Sequence, residues 1–441
     1  MTTAEHAHRP STGTRPAPPR DEPTRYDWYV VFTLLFVYMA HHLDRMVVTL
    51  LLDPIGKEFV LSDSQLGLLA GLAFAVPFAL AGLPLGMLVD RVNRVRLLTA
   101  LVAVWSALTA LAAFATGFWT LLLARVGVAA AESGGTPTNV SLISDQMPAS
   151  RRATALGVYY MGPSIGTIIG FSVAGAVAAE YGWRAGFLVA GLPGLLLALI
   201  LWRTVREPAR VSNKIQLVTD RPTLGDALRV IRRLPAALHL MAGSTIIGMT
   251  GIGLTTWLPA LMIRNHDVGL AQVGSIMAFA IAPLGIAASL LGGRLGDYLH
   301  ARGPARVPVF LAIASLCTIP ALIGGILSQP LNGLIVGFAI SMFAQSSLSA
   351  PTYAALMHHV PAAIRGVSAS MLQVSSNVLG FGVGTQAIGV LSDALHAWSP
   401  TESLRYAMLA FCLVNFWAVL HFALAARAIR REAPAAEHGE R

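Results

Sequence analysis

The chain is 441 residues long, 55% hydrophobic and only 12% charged, with a mean hydropathy of +0.64 and a formal net charge of +9. A soluble domain carries roughly twice that charged fraction, so an ordinary soluble domain is excluded. The two cysteines, Cys317 and Cys412, both sit in apolar runs, which excludes a disulfide framework and a cysteine metal site.

Residues 1–27 are rich in Pro, Thr and Arg without an apolar run and are expected to form a disordered tail. No cleavable signal is recognised, and the first apolar segment would serve as its own insertion signal. Segments of roughly 20 apolar residues cross a hydrocarbon core about 30 Å thick. Twelve of them start near Trp28, Gln65, Val95, Phe118, Ala153, Arg184, Ala236, Gln272, Val307, Leu331, Arg365 and Ser403. Of the 31 Lys and Arg residues, 24 fall on the two tails and on the loops after the even-numbered spans, which places those segments in the cytoplasm. The positive charge is therefore topological and gives no reason to expect nucleic acid.

Span 1 carries His41, His42, Asp44 and Arg45. His41, Asp44 and Arg45 are spaced i, i+3, i+4 and share one helical face. Span 2 ends in Gly86-Met-Leu-Val-Asp90-Arg91-Val-Asn-Arg94. A carboxylate there can accept hydrogen bonds from a neighbouring helix N-terminus and pair with a loop arginine, a gain of about 0.3–2 kcal/mol that exists only while the cytoplasmic side is closed. Span 4 carries Arg125 and Glu132, seven residues and about 10 Å apart on one face. Charges at this depth are expensive and need partners. If the faces of spans 1 and 4 meet, two carboxylates surround Arg45, and whether that guanidinium is near decides how readily Glu132 takes a proton. Asp44, Arg45, Glu132 and His41 are the expected proton-coupling group.

Span 5 contains the helix breakers Gly162-Pro163, expected to bend during gating. The basic segment 206–235 reads as a linker, with an amphipathic piece at Thr223 to Arg232. The second half adds Thr255, Trp257, Gln345, Ser346, Tyr353, Gln373 and Asn377 as polar or aromatic candidates for a cavity wall, and four glycines in span 11, Gly380, Gly382, Gly384 and Gly389. Spans 7 and 10 hold no acid or base in their cores, so any charge on a ligand is expected to be read by the first half, leaving an apolar second half.

Two landmarks recur about 210 residues apart: the span-2 signature returns as Gly293-Arg-Leu-Gly-Asp297-Tyr298, and Thr136-Pro137-Thr138 returns as Ala350-Pro351-Thr352. Such repetition predicts an all-α membrane protein of twelve transmembrane helices in two pseudo-symmetric six-helix bundles, residues 28–205 and 236–430, with a site between them and a tail at 431–441.

Twelve spans in two halves, a long basic central loop and G-x-L-x-D-R after span 2 resemble the major facilitator superfamily over the whole chain. Tyr38-Met-Ala-His41-His42-Leu-Asp44-Arg45, Arg125 with Glu132-Ser-Gly-Gly-Thr-Pro137, and Gly157-Val-Tyr159-Tyr160-Met-Gly-Pro163 resemble its Spinster group, although Asp-Arg in span 1 also occurs in the organic-anion symporter branch. Asn93 stands where family members usually have glycine, and Thr167 where the span-5 antiporter motif has one. The resemblance implies alternating access and movement of lysophospholipids or sphingosine phosphate. It makes Asp90, Arg91, Arg94 and the weaker Asp297 gating residues. Arg45, Arg125, Glu132, Tyr159, Tyr160, Thr255, Trp257, Gln345, Tyr353 and Asn377 are the expected substrate contacts.

The expectation is a proton-coupled transporter of an amphipathic, lysophospholipid-like anion or zwitterion in the bacterial cytoplasmic membrane, acting as a monomer without cofactor. The alternatives are a symporter of small organic anions or sugars, for which a second arginine deep in span 7 or 8 would be expected, and a non-transporting sensor. No phosphate-binding loop, metal spacing or nucleophile elbow points to an enzyme.

Overall fold

The structure, a computed structural model, describes residues 22–210 and 224–438. Most of the expected N-terminal tail, the middle of the linker and the last three residues lie outside that range. Among the described residues the chain is helical, without strands.

Eleven helices are long and apolar enough to cross a membrane: spans 1 (Arg25–Phe59), 2 (Asp63–Val89), 3 (Arg94–Ala112), 5 (Arg152–Tyr181), 6 (Trp183–Thr204), 7 (Pro235–His266), 8 (Leu270–Ala301), 9 (Arg306–Leu327), 10 (Leu331–His359), 11 (Ala362–His396) and 12 (Ser403–Arg431). Span 4 is the twelfth, split into Phe118–Glu132 and Gly135–Gln146. Pro137 causes the split, because its ring clashes with the carbonyl four residues back, at Ser133. Pro163 acts likewise on Tyr159, and span 5 breaks between Arg152–Tyr159 and Gly162–Tyr181. Spans 8 and 11 loosen into π-helical stretches at Ile276–Ile281 and Ser376–Gly384.

Span 1 starts earlier than hydropathy alone suggests, because Thr24 and Asp27 cap each other: the Asp27 N–H donates to Thr24 Oγ1 at 3.2 Å, and the Thr24 N–H to Asp27 Oδ2 at 2.7 Å. The last helix continues to His438, through most of the segment expected as a tail. The linker contributes one helix, Leu224–Arg232.

Spans 1 and 7, equivalent in the two halves, are the most buried, 72% of their apolar windows lying inside the protein. The core shows how the halves meet. One apolar cluster runs continuously from Leu50, Leu51, Trp183 and Phe187 of the first half into Leu254, Trp257, Leu258 and Leu261 of the second. These residues lie toward the face opposite the chain termini, here the far face. Toward the terminal face the cores are separate, one built on Leu34, Leu98 and Trp105, another on Leu240, Leu311 and Phe422. The halves are thus sealed on the far side and apart on the terminal side.

Glycines set the closeness of that seal. A Cβ on Gly71 would meet the carbonyl oxygens of Phe381 and Gly382, and one on Gly274 that of Phe171. Spans 2 and 11, and spans 5 and 8, therefore touch backbone to backbone where only glycine fits.

Candidate functional site

Between the halves lies a cavity of about 430 Å³. His42, Met46 and Thr49 of span 1 and Thr167 and Phe171 of span 5 form its first-half wall. The opposite wall brings together Thr255, Gln345, Ser346, Tyr353 and Gln373; the Tyr353 hydroxyl donates to Gln373 Oε1 at 3.2 Å. Gln345 reaches the wall across span 7 because Gly251 has no side chain to block its amide.

Two expectations need correction here. Trp257 is fully buried, donating its Nε1–H to the Thr385 carbonyl at 2.9 Å, and ties span 7 to span 11 instead of meeting a substrate. Tyr159 is equally buried, stacked on Tyr38 at 4.6 Å and accepting from Asn139 Nδ2 at 3.2 Å. The second-half wall is neutral and largely apolar, with Met277, Met342 and Ile252 among its hydroxyls and amides. Asn377 is half-buried in the π-helical stretch of span 11 beside the lining residues Ser376 and Phe381, and Tyr160 is exposed, its ring edge-on to Tyr38 and Tyr159.

The buried charges lie in the first half, behind the wall carrying His42. Glu132 is wholly buried, and its Oε2 stands 3.1 Å from His41 Nε2. Arg45 differs from expectation. No carboxylate oxygen comes within 4.0 Å of it or of Arg125 among the described residues. Its guanidinium is instead packed between aromatic faces, 4.2 Å from the Phe74 centroid, 5.4 Å from Phe78 and 4.5 Å from Phe381, while Arg125 shares Phe74 at 4.6 Å. Each desolvated cation–π contact is worth up to about 2 kcal/mol, which offsets part of the cost of burying the charge. Asp44 accepts from the Thr109 hydroxyl at 3.2 Å and, with Arg125, lines a small cavity of about 30 Å³. Asp44 Oδ1 and Arg125 Nε have no hydrogen-bond partner among the described residues, and that volume admits about two water molecules.

On the far face a cross-half network stands that the sequence reading did not single out. Arg264 of span 7 donates from Nε to Asp53 of span 1 at 2.7 Å and from Nη1 to Asp63 of span 2 at 2.8 Å. Asp393 of span 11 accepts from the backbone N–H groups of Asp63 and Ser64, at 2.9 and 2.8 Å, and so caps span 2 from the other half. The Ser392 hydroxyl donates to Asp63 at 2.6 Å. Complementary charges near the far ends of spans 1, 2, 7 and 11 were the available signal.

On the terminal face, Asp90, Arg91 and Asp297 are exposed, and neither carboxylate has a hydrogen-bond or ion-pair partner among the described residues. That is the state expected of a latch whose face is open. Arg94 is different: it is buried, donating to Asp145 at 2.5 Å, Glu207 at 2.7 Å and Ser141 Oγ at 2.9 Å. It clamps spans 3, 4 and 6 within the first half, a correction to its expected gating part. Arg210 holds the loop by donating to the carbonyls of Val89, Asp90 and Val92. Gly162 packs against Leu35 and Met39 of span 1, and Pro163 begins the second piece of span 5.

The family model of the Major Facilitator Superfamily matches residues 34–385. The chain is 27% identical over 387 residues to an MFS-type efflux pump of Mycolicibacterium smegmatis, covering 87% of this chain and 89% of the pump. It is 26% identical over 410 residues to protein spinster homolog 1 of Homo sapiens, covering 87% and 77% respectively. A crystal structure of a bacterial homolog to the human lysosomal transporter Spinster, inward-facing and unoccupied, superposes with a TM-score of 0.86 at 28% identity, covering 93% of this chain and 99% of that one.

Proposed function

Because the chain belongs to the major facilitator superfamily, we propose that it is a proton-coupled secondary transporter moving an amphipathic, lysophospholipid-like anion or zwitterion across the cytoplasmic membrane by alternating access. It is a Spinster-like transporter and not an enzyme. The observation that carries the finer reading is a cavity sealed on one face only, with His42 in its wall and a buried acid behind it.

His42 faces the cavity, His41 lies beside it with ring centroids 6.2 Å apart, and His41 touches Glu132. His42, His41 and Glu132 thus stand in series from the cavity to the buried acid, the order in which a proton would have to pass. Arg45 is engaged by rings and not by a carboxylate, which leaves its charge available to a substrate phosphate. Capture of Arg45 or Arg125 by the headgroup alters the field at Glu132 and links substrate to proton, with about 2.3 kcal/mol per charge supplied by each 100 mV of membrane potential. Both termini face the cytoplasm, Asp90 and Asp297 close that face in the other half of the cycle, Gly162-Pro163 bends with it, and the protein works as a monomer. The hydroxyls and amides of Thr255, Gln345, Ser346 and Gln373 in the second-half wall favour a second reading, a symporter of sugars or small organic anions.

Proteoliposomes with an imposed pH gradient separate the two: lysophospholipids, sugars and organic acids are offered in turn, with Glu132→Gln in parallel. Lysophospholipid flux driven by the gradient is expected. Glu132→Gln should bind substrate and lose the gradient dependence. A mutant still fully driven would pass the proton role to Asp44 or His41.

A further inference from the structure

The linker helix Leu224–Arg232 has no part in that cycle. It buries Ala227 and Ile231 in a cluster with Ala237 of span 7, Leu356 of span 10, and Ile364 and Leu372 near the start of span 11. That packing fixes the helix on the second half, and with it the orientation of its other face. Arg229, Arg232 and Arg233 are spaced i, i+3, i+4, and all three are exposed. Together with Gly225 and Leu228 they line an open groove of about 410 Å³. Arg229 has a half-buried partner, Asp226, at 3.4 Å, and because both side chains reach solvent the pair is worth at most about 1 kcal/mol.

The position of this groove decides its ligand. Span 7 starts at Pro235, two residues past Arg233, and Leu238, within the first helical turn, is 42% exposed. Three guanidiniums thus stand where a helix enters the bilayer, with apolar surface directly beyond them. A dissolved anion would use only the cations; a phospholipid would use both.

We propose that this groove holds the headgroup of an anionic phospholipid of the surrounding bilayer, its phosphate between Arg229, Arg232 and Arg233 and its acyl chains along the first turns of span 7. Guanidiniums suit phosphate oxygens through paired N–H donors. The bound lipid would anchor the linker helix, and the second half with it, to the membrane.

The test uses the whole protein in neutral detergent, titrated with dioleoylphosphatidylglycerol or dioleoylphosphatidylcholine, with bound lipid counted by native mass spectrometry. Phosphatidylglycerol should bind at least about tenfold more tightly. Arg229→Gln/Arg232→Gln/Arg233→Gln should erase the preference, at roughly fivefold per arginine and on the order of a hundredfold for the three. The matching triple lysine variant should keep most of it, and covers the case in which the glutamine variant fails to fold. Equal loss in Arg302→Gln/Arg306→Gln would reduce the effect to general surface charge and overturn the proposal. Displacement of phosphatidylglycerol by millimolar inorganic phosphate would overturn it in favour of a soluble anion.

Discussion

Arg264 holds two carboxylates of the opposite half at once, and it does so only while the far face is shut. Arg264 is half-buried and Asp53 also pairs with Lys57 at 2.9 Å, so losing its hydrogen bonds to charged partners costs about 1.5–3 kcal/mol, and here the cost falls on a single conformation. Arg264→Gln is therefore expected to raise the far-open population by at least about tenfold. A cysteine introduced at Ser64, with the exposed Cys317 replaced by serine, should react with a maleimide at least about tenfold faster in the variant; an unchanged rate would contradict the assignment. Asp44, Arg45, Arg125 and Glu132 were legible in the sequence because a charge within an apolar run is costly wherever it points. Phe74, Phe78 and Phe381 were not, since a phenyl ring is as natural facing lipid as facing a guanidinium. The Arg264 network was hidden for another reason: its members are hundreds of residues apart and resemble ordinary loop charges.

Among the elements, the twelve spans were legible from hydropathy and the break in span 5 from Gly162-Pro163, whereas the break at Pro137 in span 4 went unread because that residue stood out only as part of the repeat. The π-helical stretches of spans 8 and 11 were not legible, because no residue type specifies a wider turn. Both stretches lie on helices that cross to the other half, where π-turns commonly accompany function. Gly274, just before the stretch in span 8, allows the contact with Phe171 of span 5. In Gly274→Ala a Cβ must displace that carbonyl, an overpacking cost of about 1–3 kcal/mol borne by the far-closed state. Spin labels at Glu180 and Ala271 should then show a longer distance component in electron–electron resonance. A single unaltered distribution would mean that the crossing is not tight.

At the scale of the molecule, the Arg264 network closes the far face, and in the proposed cycle the Asp90 and Asp297 signatures would close the terminal face in its turn. The chemistry expected of Asp90, a carboxylate capping a helix of the other half, is performed on the far face by Asp393. Asp90→Asn should deepen the terminal-open state and slow labelling at residue 64. Combined with Arg264→Gln, it should bring labelling back toward the parent rate, because distant sites add; a double variant as fast as Arg264→Gln alone would show that Asp90 carries no weight in the balance. The shelter of Arg45 shares in this motion. Two of its aromatic walls, Phe74 and Phe78, belong to the first bundle, and the third, Phe381, to the second. In the cycle proposed above, each swing of the bundles would strip a wall from a cation that cannot shed its charge, so that a single mechanical event would determine when that charge is on offer and which anion is near enough to take it.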